Sequence, residues 1–440
     1  MNQEAAEEET LESISNGLLP LLMVTVIAGL LVGLVGGSFH WLLRASGNGF
    51  ANWVSELKGS GMHLGLAALV AFLVAAVCVG LSRWLVRNTP SAGGSGIQHV
   101  EAVMRGKASP APFRVLPLKF VGGILSMMPG LALGREGPTV QMAAVIGTEC
   151  GKLFRLGSHD RAMLYTAIAG SGLSVAFNAP LAGAVFVLEE VSRLITLRRL
   201  LVSLLAVAVA ISTYRLLFGN ATSFRVDELL PVNLFELPLF ALLGAWLGAL
   251  GVLYNRTTVF ALDAAGKIAP SWRPEWKAAL VGGIAGLMVM AMPEWVGGGE
   301  SQVQSVLNGQ IGLTSMVMLF MVRWLFGPIS YSTGVPGGLF APLLLIGAIA
   351  GACFSTIAQL IVTTPTIFDP ATYAIVGMAA FFTAVVRAPL TGVLLMIEMT
   401  GTVSLMAPLL VASVTSAAIA TLMRGEPIYD TLRARMPPER

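Results

Sequence analysis

The chain has 440 residues, of which 55% are hydrophobic and only 12% charged, with 49 glycines and a net charge of +3; its mean hydropathy is +0.78. A soluble domain carries about 25% charged residues, so the composition excludes an ordinary globular protein and describes a polytopic helical membrane protein. The small net charge offers no basic footprint for nucleic acid.

Residues 1–16 form an acidic leader with Glu4, Glu7, Glu8, Glu9 and Glu12, expected as a short surface helix or a disordered segment. The apolar run Leu18–Leu43 follows. It lacks the positive n-region of a signal peptide and is long enough to span a bilayer, so it reads as the first membrane helix. Further apolar runs lie at 63–86, 116–147, 162–190, 199–218, 234–254, 277–293, 312–330, 337–362, 373–399 and 404–423. The 116–147 run is interrupted by Gly122, Gly123, Pro129, Gly130, Gly134, Gly137 and Pro138, and the 312–362 stretch by Pro328, Gly334, Pro336, Gly337, Gly338 and Pro342. Broken backbone at membrane depth is tolerated only where it is buried or lines a cavity. Such breaks at corresponding places in two halves point to a transport site.

The halves correspond. Pro138 and Pro342 are 204 apart (342 − 138), and each opens a helix expected to end at Ile146-Gly147 or Ala350-Gly351. Lys119 and Arg323 stand 19 residues before these prolines, again 204 apart (323 − 119). Ala179-Pro180-Leu181-Ala182-Gly183 through Glu189 matches Ala388-Pro389-Leu390-Thr391-Gly392 through Glu398 at a separation of 209 (389 − 180). Charge, proline and glutamate therefore align in a duplicated half of about 200 residues. The first repeat is expected over 17–218, the second over 234–423, and a short tail over 424–440.

Basic residues cluster in the 83–114 connection (Arg83, Arg87, Arg105, Lys107, Arg114), after Glu190 (Arg193, Arg198, Arg199), in the 256–273 loop (Arg256, Lys267, Arg273) and in the tail (Arg424, Arg433, Arg435, Arg440). The positive-inside rule puts all four groups, and both termini, in the cytoplasm.

The chemistry concentrates in four stretches. Gly134-Arg135-Glu136-Gly137-Pro138 sets two charges between apolar segments, where charge is expensive and functional by default. Pro138 suits the first turn of a helix, so Glu136 stands at a helix N-terminus, which favours an anion. Gly94-Ser95-Gly96-Ile97 follows a Ser/Gly-rich loop, Gly337-Gly338-Leu339-Phe340-Ala341-Pro342 forms the matching break, and Tyr429 follows the last apolar run. Together they supply backbone N–H groups and two hydroxyls without a cluster of lysines or arginines. Neutral donors of this kind hold a small anion loosely enough to release it. His40, His63, His99 and His159 lack ligand spacing, and Cys78, Cys150 and Cys353 form no CxxC pair and read as buried free thiols. No metal or cofactor is expected. The chain has no phosphate-binding G-x-x-x-x-G-K-[ST] and no H-E-x-x-H, and neither Glu136 nor Glu190 has a nucleophile–base partner in the sequence, which argues against an enzyme.

These stretches, in this order and spacing, resemble the CLC family of chloride channels and chloride/proton antiporters over about residues 20–430. The resemblance implies an all-α, polytopic membrane homodimer in the inner (plasma) membrane. Each subunit then holds two inverted repeats of broken, tilted helices. It implies that Ser95 and Tyr429 give hydroxyls to chloride, that the amides of Leu339 and Phe340 add contacts, and that Glu136 is the external gate. Glu136 would occupy an anion position when charged and swing out when protonated, a change that burial of a carboxylate promotes. The filter would comprise 94–98, 134–138 and 338–342. Glu190 resembles the internal proton glutamate, where channels of the family carry an apolar residue. It therefore favours an antiporter over the alternative, a passive chloride channel. By the residues alone, Glu189 and Glu190 equally fit the polar end of a helix partnered by Arg193. Glu101 fits either support of Glu190 or an ion pair with Arg105, and Glu398 reads as structural. Gln98 departs from the family's proline, restoring an N–H and adding an amide beside the inner vestibule. Ser95 favours chloride over nitrate, and both GREGP and the terminal tyrosine separate the chain from the fluoride-exporting branch.

Overall fold

The structure, a computed structural model, describes residues 2–192, 196–220, 222–226, 229, 232, 234–361 and 369–436, with side chains from 17 onward except those of 190–192, 234 and 361. Among the described residues it contains α-helices and short 3-10 or π turns, with only two isolated β-bridges. The first half runs α1 (Asn2–Gly59), α2 (Leu64–Leu85), α3 (Ile97–Met104), α4 (Val115–Met127), α5 (Glu136–Leu153), α6 (Ser158–Phe177), α7 (Pro180–Phe186) and α8 (Leu197–Phe218). The second runs α9 (Leu237–Lys267), α10 (Pro274–Ala291), α11 (Glu300–Leu307), α12 (Leu313–Ser332), α13 (Phe340–Ile361), α14 (Pro370–Val386), α15 (Pro389–Thr400) and α16 (Met406–Leu422), followed by the short α17 (Ile428–Ala434). The order of long and short helices is the same in both halves. The acidic leader is continuous in backbone with the first membrane helix, which continues past Leu43 to Gly59.

The breaks fall where backbone chemistry requires them. Met128–Arg135 separates α4 from α5, and Thr333–Leu339 separates α12 from α13. The runs at 162–190 and 373–399, continuous by hydropathy, also split. Asn178 and Arg387 adopt left-handed backbone, at φ 55° and 72°. Ala179 (φ −125°, ψ 88°) and Ala388 (φ −118°, ψ 78°) then leave helical backbone, which a following proline disfavours. The expected helix ends at Gly147 and Gly351 are not ends: α5 runs on to Leu153 and α13 to Ile361. These glycines serve helix packing instead. A Cβ on Gly351 would lie 2.0 Å from the Tyr373 carbonyl oxygen on α14, and one on Gly147 3.1 Å from Ile168 on α6. Glycine without φ strain thus marks close helix approach, as it commonly does in membranes.

Six helices are long and apolar enough to cross a membrane, among the described residues. Of these α13 is 83% buried over its apolar window, whereas α2 is 28% buried. The central layer is therefore α5, α6, α13 and α14, wrapped by outer helices whose leucines, such as Leu73, Leu216 and Leu325, stay exposed. Apolar surface on this scale suits lipid, and the interior is where polar groups collect.

The halves interlock by exchange. Helix α2 packs on α10 and α7 on α15. Glu398, at the end of α15, accepts from the Leu181 and Ala182 amides at the start of α7 (2.9 and 2.8 Å). Glu189 in turn accepts from the Leu390 and Thr391 amides at the start of α15 (3.0 and 2.8 Å). Each glutamate caps the other repeat's helix, satisfying N–H groups that a helix start leaves open.

The basic groups also find partners. Arg87 pairs with Glu275 (3.7 Å), Arg105 with Asp430 (3.4 Å) and Arg435 with Asp263 (2.8 Å), so the 83–114 connection, the 256–273 region and the tail share one end of the molecule. Gly17 lies against Arg198, which brings the start of the membrane-spanning part of α1 to the third basic group.

Candidate anion and proton site

Helices α3, α5 and α13 begin inside the protein, and their starts meet. The two main breaks are stitched by reciprocal bonds: the Gly134 N–H donates to Gly338 O at 2.8 Å and the Gly338 N–H to Gly134 O at 2.6 Å. The Gly94 N–H donates to Val335 O (3.0 Å) and the Gly337 N–H to Gly94 O (3.1 Å), tying in the loop before α3. Ser126 Oγ donates to Pro336 O (2.7 Å), while its counterpart Ser330 Oγ accepts from the Ala132 N–H (3.2 Å). Repeat-related serines thus each brace the opposite half's break.

Two buried cations hold the loops. Lys119 Nζ donates to Gly94 O at 3.0 Å, and Arg323 donates to Val296 O at 3.0 Å and to Gly297 O. Both side chains are fully enclosed, and each neutralises the carbonyls of a loop that leads into a short helix. Those short helices, α3 and α11, have left-handed glycines at their N-caps, Gly96 at φ 90° and Gly299 at φ 109°. A side chain at Gly96 would also collide with Gln141 Oε1, 2.2 Å from an ideal Cβ, so only glycine meets both demands.

The predicted site residues gather at this junction. Ser95, Glu136, Leu339, Phe340 and Tyr429 all have 0% exposure. A Cβ on Gly137 would sit 2.1 Å from Ser95 Oγ, and one on Gly134 2.0 Å from Glu136 Oε2. These glycines admit the hydroxyl and the carboxylate to the helix start. The carboxylate faces the Ala341 amide in the first turn of α13. The Tyr429 hydroxyl faces Ser95, and its ring stacks on Phe340 with centroids 5.8 Å apart. Yet Ser95 Oγ, Tyr429 Oη and both Glu136 carboxylate oxygens make no hydrogen bond of normal geometry. Buried polar atoms are ordinarily paired. A cluster of unpaired ones, beside helix amides that lack intrahelical partners, has the chemistry of a site for a small anion and a proton.

Arg135 is brought to the site but turned away from the carboxylate: its Nε donates to Ala176 O at 3.0 Å and its NH1 pairs with Glu300 at 2.9 Å. A cavity of ≈ 1160 Å³ reaches Glu136 past Arg44, Arg135, Arg225 and Glu300. Gln98, at the family's proline position, faces the Tyr331 hydroxyl, which also faces the Ser95 amide. Tyr331 is a neighbour of the site that sequence reasoning missed; an aromatic hydroxyl just ahead of the Gly334 break was the available signal. The backbone of Glu190 lies in the π turn Val187–Ser192, against which α3 packs. Its side chain, and Arg193, lie outside the described residues. Glu101 does not pair with Arg105; it takes Arg433, at 2.8 Å, while Arg105 reaches Asp430. Glu398 and Glu189 are the crossed caps described above. Among the described residues no group of three or more His, Cys, Asp or Glu side chains has metal-binding geometry.

Residues 77–421 match the family described as voltage gated chloride channel. The chain belongs to that family, the CLC proteins. It is 37% identical over 425 residues to the H(+)/Cl(-) exchange transporter ClcA of Vibrio cholerae, covering 94% of this chain and 89% of that one. A slow cyanobacterial Cl-/H+ antiporter superposes with a TM-score of 0.88 at 34% identity, covering 94% of this chain and 97% of the other. A CLC-type fluoride/proton antiporter, at 20% identity and a TM-score of 0.75 over 94% of this chain and 97% of its own, shares the fold. The two repeats of broken helices are the CLC architecture.

Proposed function

We propose that the chain is a secondary transporter that exchanges chloride for protons, with Glu136 as external gate and Glu190 as internal proton acceptor. The observation that carries the reading is the Glu136 carboxylate: fully buried, unpaired and aimed at the first turn of α13. A charged carboxylate there is a tethered anion, and it competes with chloride for the same amides. Protonation removes the competitor's charge, so proton arrival and chloride binding are linked. Ser95, Tyr429 and the amides of Leu339 and Phe340 would hold chloride further in. Arg135, bound to Ala176 O and Glu300, adds positive potential without closing on the ion. The residues of 94–98, 134–138 and 338–342 would form the filter.

Relatives that carry the names of H(+)/Cl(-) exchangers support antiport. The inner membrane, cytoplasmic termini and a homodimer in lipid belong to the same proposal; the gathering of basic groups at one end supports the orientation. Purified protein in phospholipid vesicles tests it. A chloride gradient is expected to drive protons uphill, and chloride flux without proton movement would make the protein a passive channel instead. Glu190→Ala is expected to abolish proton movement while chloride flux persists; unaltered coupling would remove Glu190 from the route.

A further inference from the structure

Outside the Glu136 cavity, the contact between α3 and α17 holds a chain of four charges that the transport reading leaves unused. Arg433, one turn after Tyr429 on α17, bridges two carboxylates: Glu101 on α3 at 2.8 Å and Asp430 on its own helix at 2.5 Å. Arg105, one turn after Glu101, reaches Asp430 at 3.4 Å. The Glu101 side chain is 0% exposed and that of Arg433 12%. Desolvation offsets most of the attraction in such a pair, so its best-attested use is to fix how elements register. Arg suits that role because its planar fork binds two acceptors at set angles. The other ion pair of α17, Arg435 with Asp263, is 38% and 49% exposed, and exposed pairs of that kind contribute little.

Register matters at this contact. Helix α3 begins two residues after Ser95, and α17 carries Tyr429 in its first turn. The two hydroxyls face each other without a hydrogen bond of normal geometry, so the placement of the two helices governs the gap between them. We propose that Arg433 is a positioning residue for this constriction: held by Asp430 on its own helix, it clamps α17 to Glu101 on α3 and so sets the separation of the Tyr429 and Ser95 hydroxyls, and with it the affinity for the anion between them. The inference rests on Ser95 and Tyr429 being chloride ligands. The tail is thus part of the anion pathway through a charge lock, and breaking the lock loosens binding without touching a ligand.

The test compares wild type, Arg433→Gln, Glu101→Gln and the double variant. Chloride affinity is measured by calorimetry in detergent, and chloride and proton flux in vesicles of phosphatidylethanolamine and phosphatidylglycerol. Each single change is expected to weaken chloride binding about tenfold, and the double variant to be no weaker than the worse single, since both remove one interaction. KM for chloride is expected to rise more than kcat falls, which a merely structural lesion would not produce. Chloride binding by Arg433→Gln within about twofold of wild type overturns the clamp. Should the glutamine variants fail to fold, Arg433→Lys keeps the charge but loses the fork; it is expected to bind chloride about threefold more weakly, and unchanged affinity again overturns the clamp. A wild type that binds no chloride overturns the anion site itself, a result distinct from wild-type binding that Arg433 does not influence.

Discussion

At residues 134–138 and again at 338–342 the chain makes the same move: a glycine in the break, a helix starting two residues later, and a proline in its third position. The two glycines even exchange hydrogen bonds. The side chains at the helix starts differ completely. Helix α5 begins with Glu136, whose carboxylate points unpaired at the amides of α13. Helix α13 begins with Phe340, whose ring packs against Phe382 at 4.8 Å, Tyr429 at 5.8 Å and Phe177 and Phe186 at 6.0 Å. One start carries an unpaired carboxylate, and the other carries backbone amides in an apolar frame of packed rings. The repeat gives two helix N-termini that favour an anion; on the proposed function, the difference at this one residue pair makes one a competitor and the other its binding site.

The largest expected effect comes from removing the competitor's charge. Glu136→Gln is expected to lower proton flux by about a hundredfold or more while chloride flux persists and loses its pH dependence; paired flux recordings check both. Coupling that survives this change would break the comparison at its root. A sharper contrast lies in the glycines. Gly134→Ala places a methyl 2.0 Å from Glu136 Oε2, whereas Gly338→Ala meets nothing nearer than 3.2 Å. The first is expected to alter coupling about tenfold and the second, tight only against backbone at Gly134 and Gly137, to alter it less than the first. The buried cations come next. Lys119→Met is expected to weaken chloride binding about fivefold, because its loop carries Ser95. Arg323→Met, whose loop carries no proposed ligand, is expected to lower stability by about 2 kcal/mol with affinity unchanged. Calorimetry and thermal unfolding in detergent separate these outcomes. The smallest effect belongs to the crossed caps: Glu398→Gln is expected to destabilise by about 1 kcal/mol without changing the exchange, and Glu189→Gln likewise.

Much of the site was legible in the chain because its chemistry is local. GREGP, GGLFAP, GSGI and the terminal tyrosine each announce themselves by a charge, hydroxyl or glycine–proline break amid apolar residues, and a spacing of 204 pairs the two halves before any contact is known. Less legible was anything that depends on a partner far along the chain. Glu398 looked structural, but that it caps the first residues of α7 required knowing that α7 and α15 touch. Glu101 offered Arg105 one turn away, and the nearer choice in sequence lost to Arg433, more than three hundred positions on. Gly147 and Gly351 looked like helix ends because local rules read glycine as a terminator; a neighbouring helix was the reason they are glycine.

The sequence by itself determined the membrane class, the duplication, the breaks and the residues with unusual chemistry, since hydropathy, proline geometry and the energy of buried charge act within a few residues. Only the tertiary structure decided which groups meet: that Glu136 faces the amide of Ala341, that Tyr429 stacks on Phe340, and that Arg433 locks the tail to α3. Such pairings arise from how the helices of the two halves and the short tail helix α17 pack around one another. Pairing energies fall off within a few ångströms, a distance that separation along the chain does not encode.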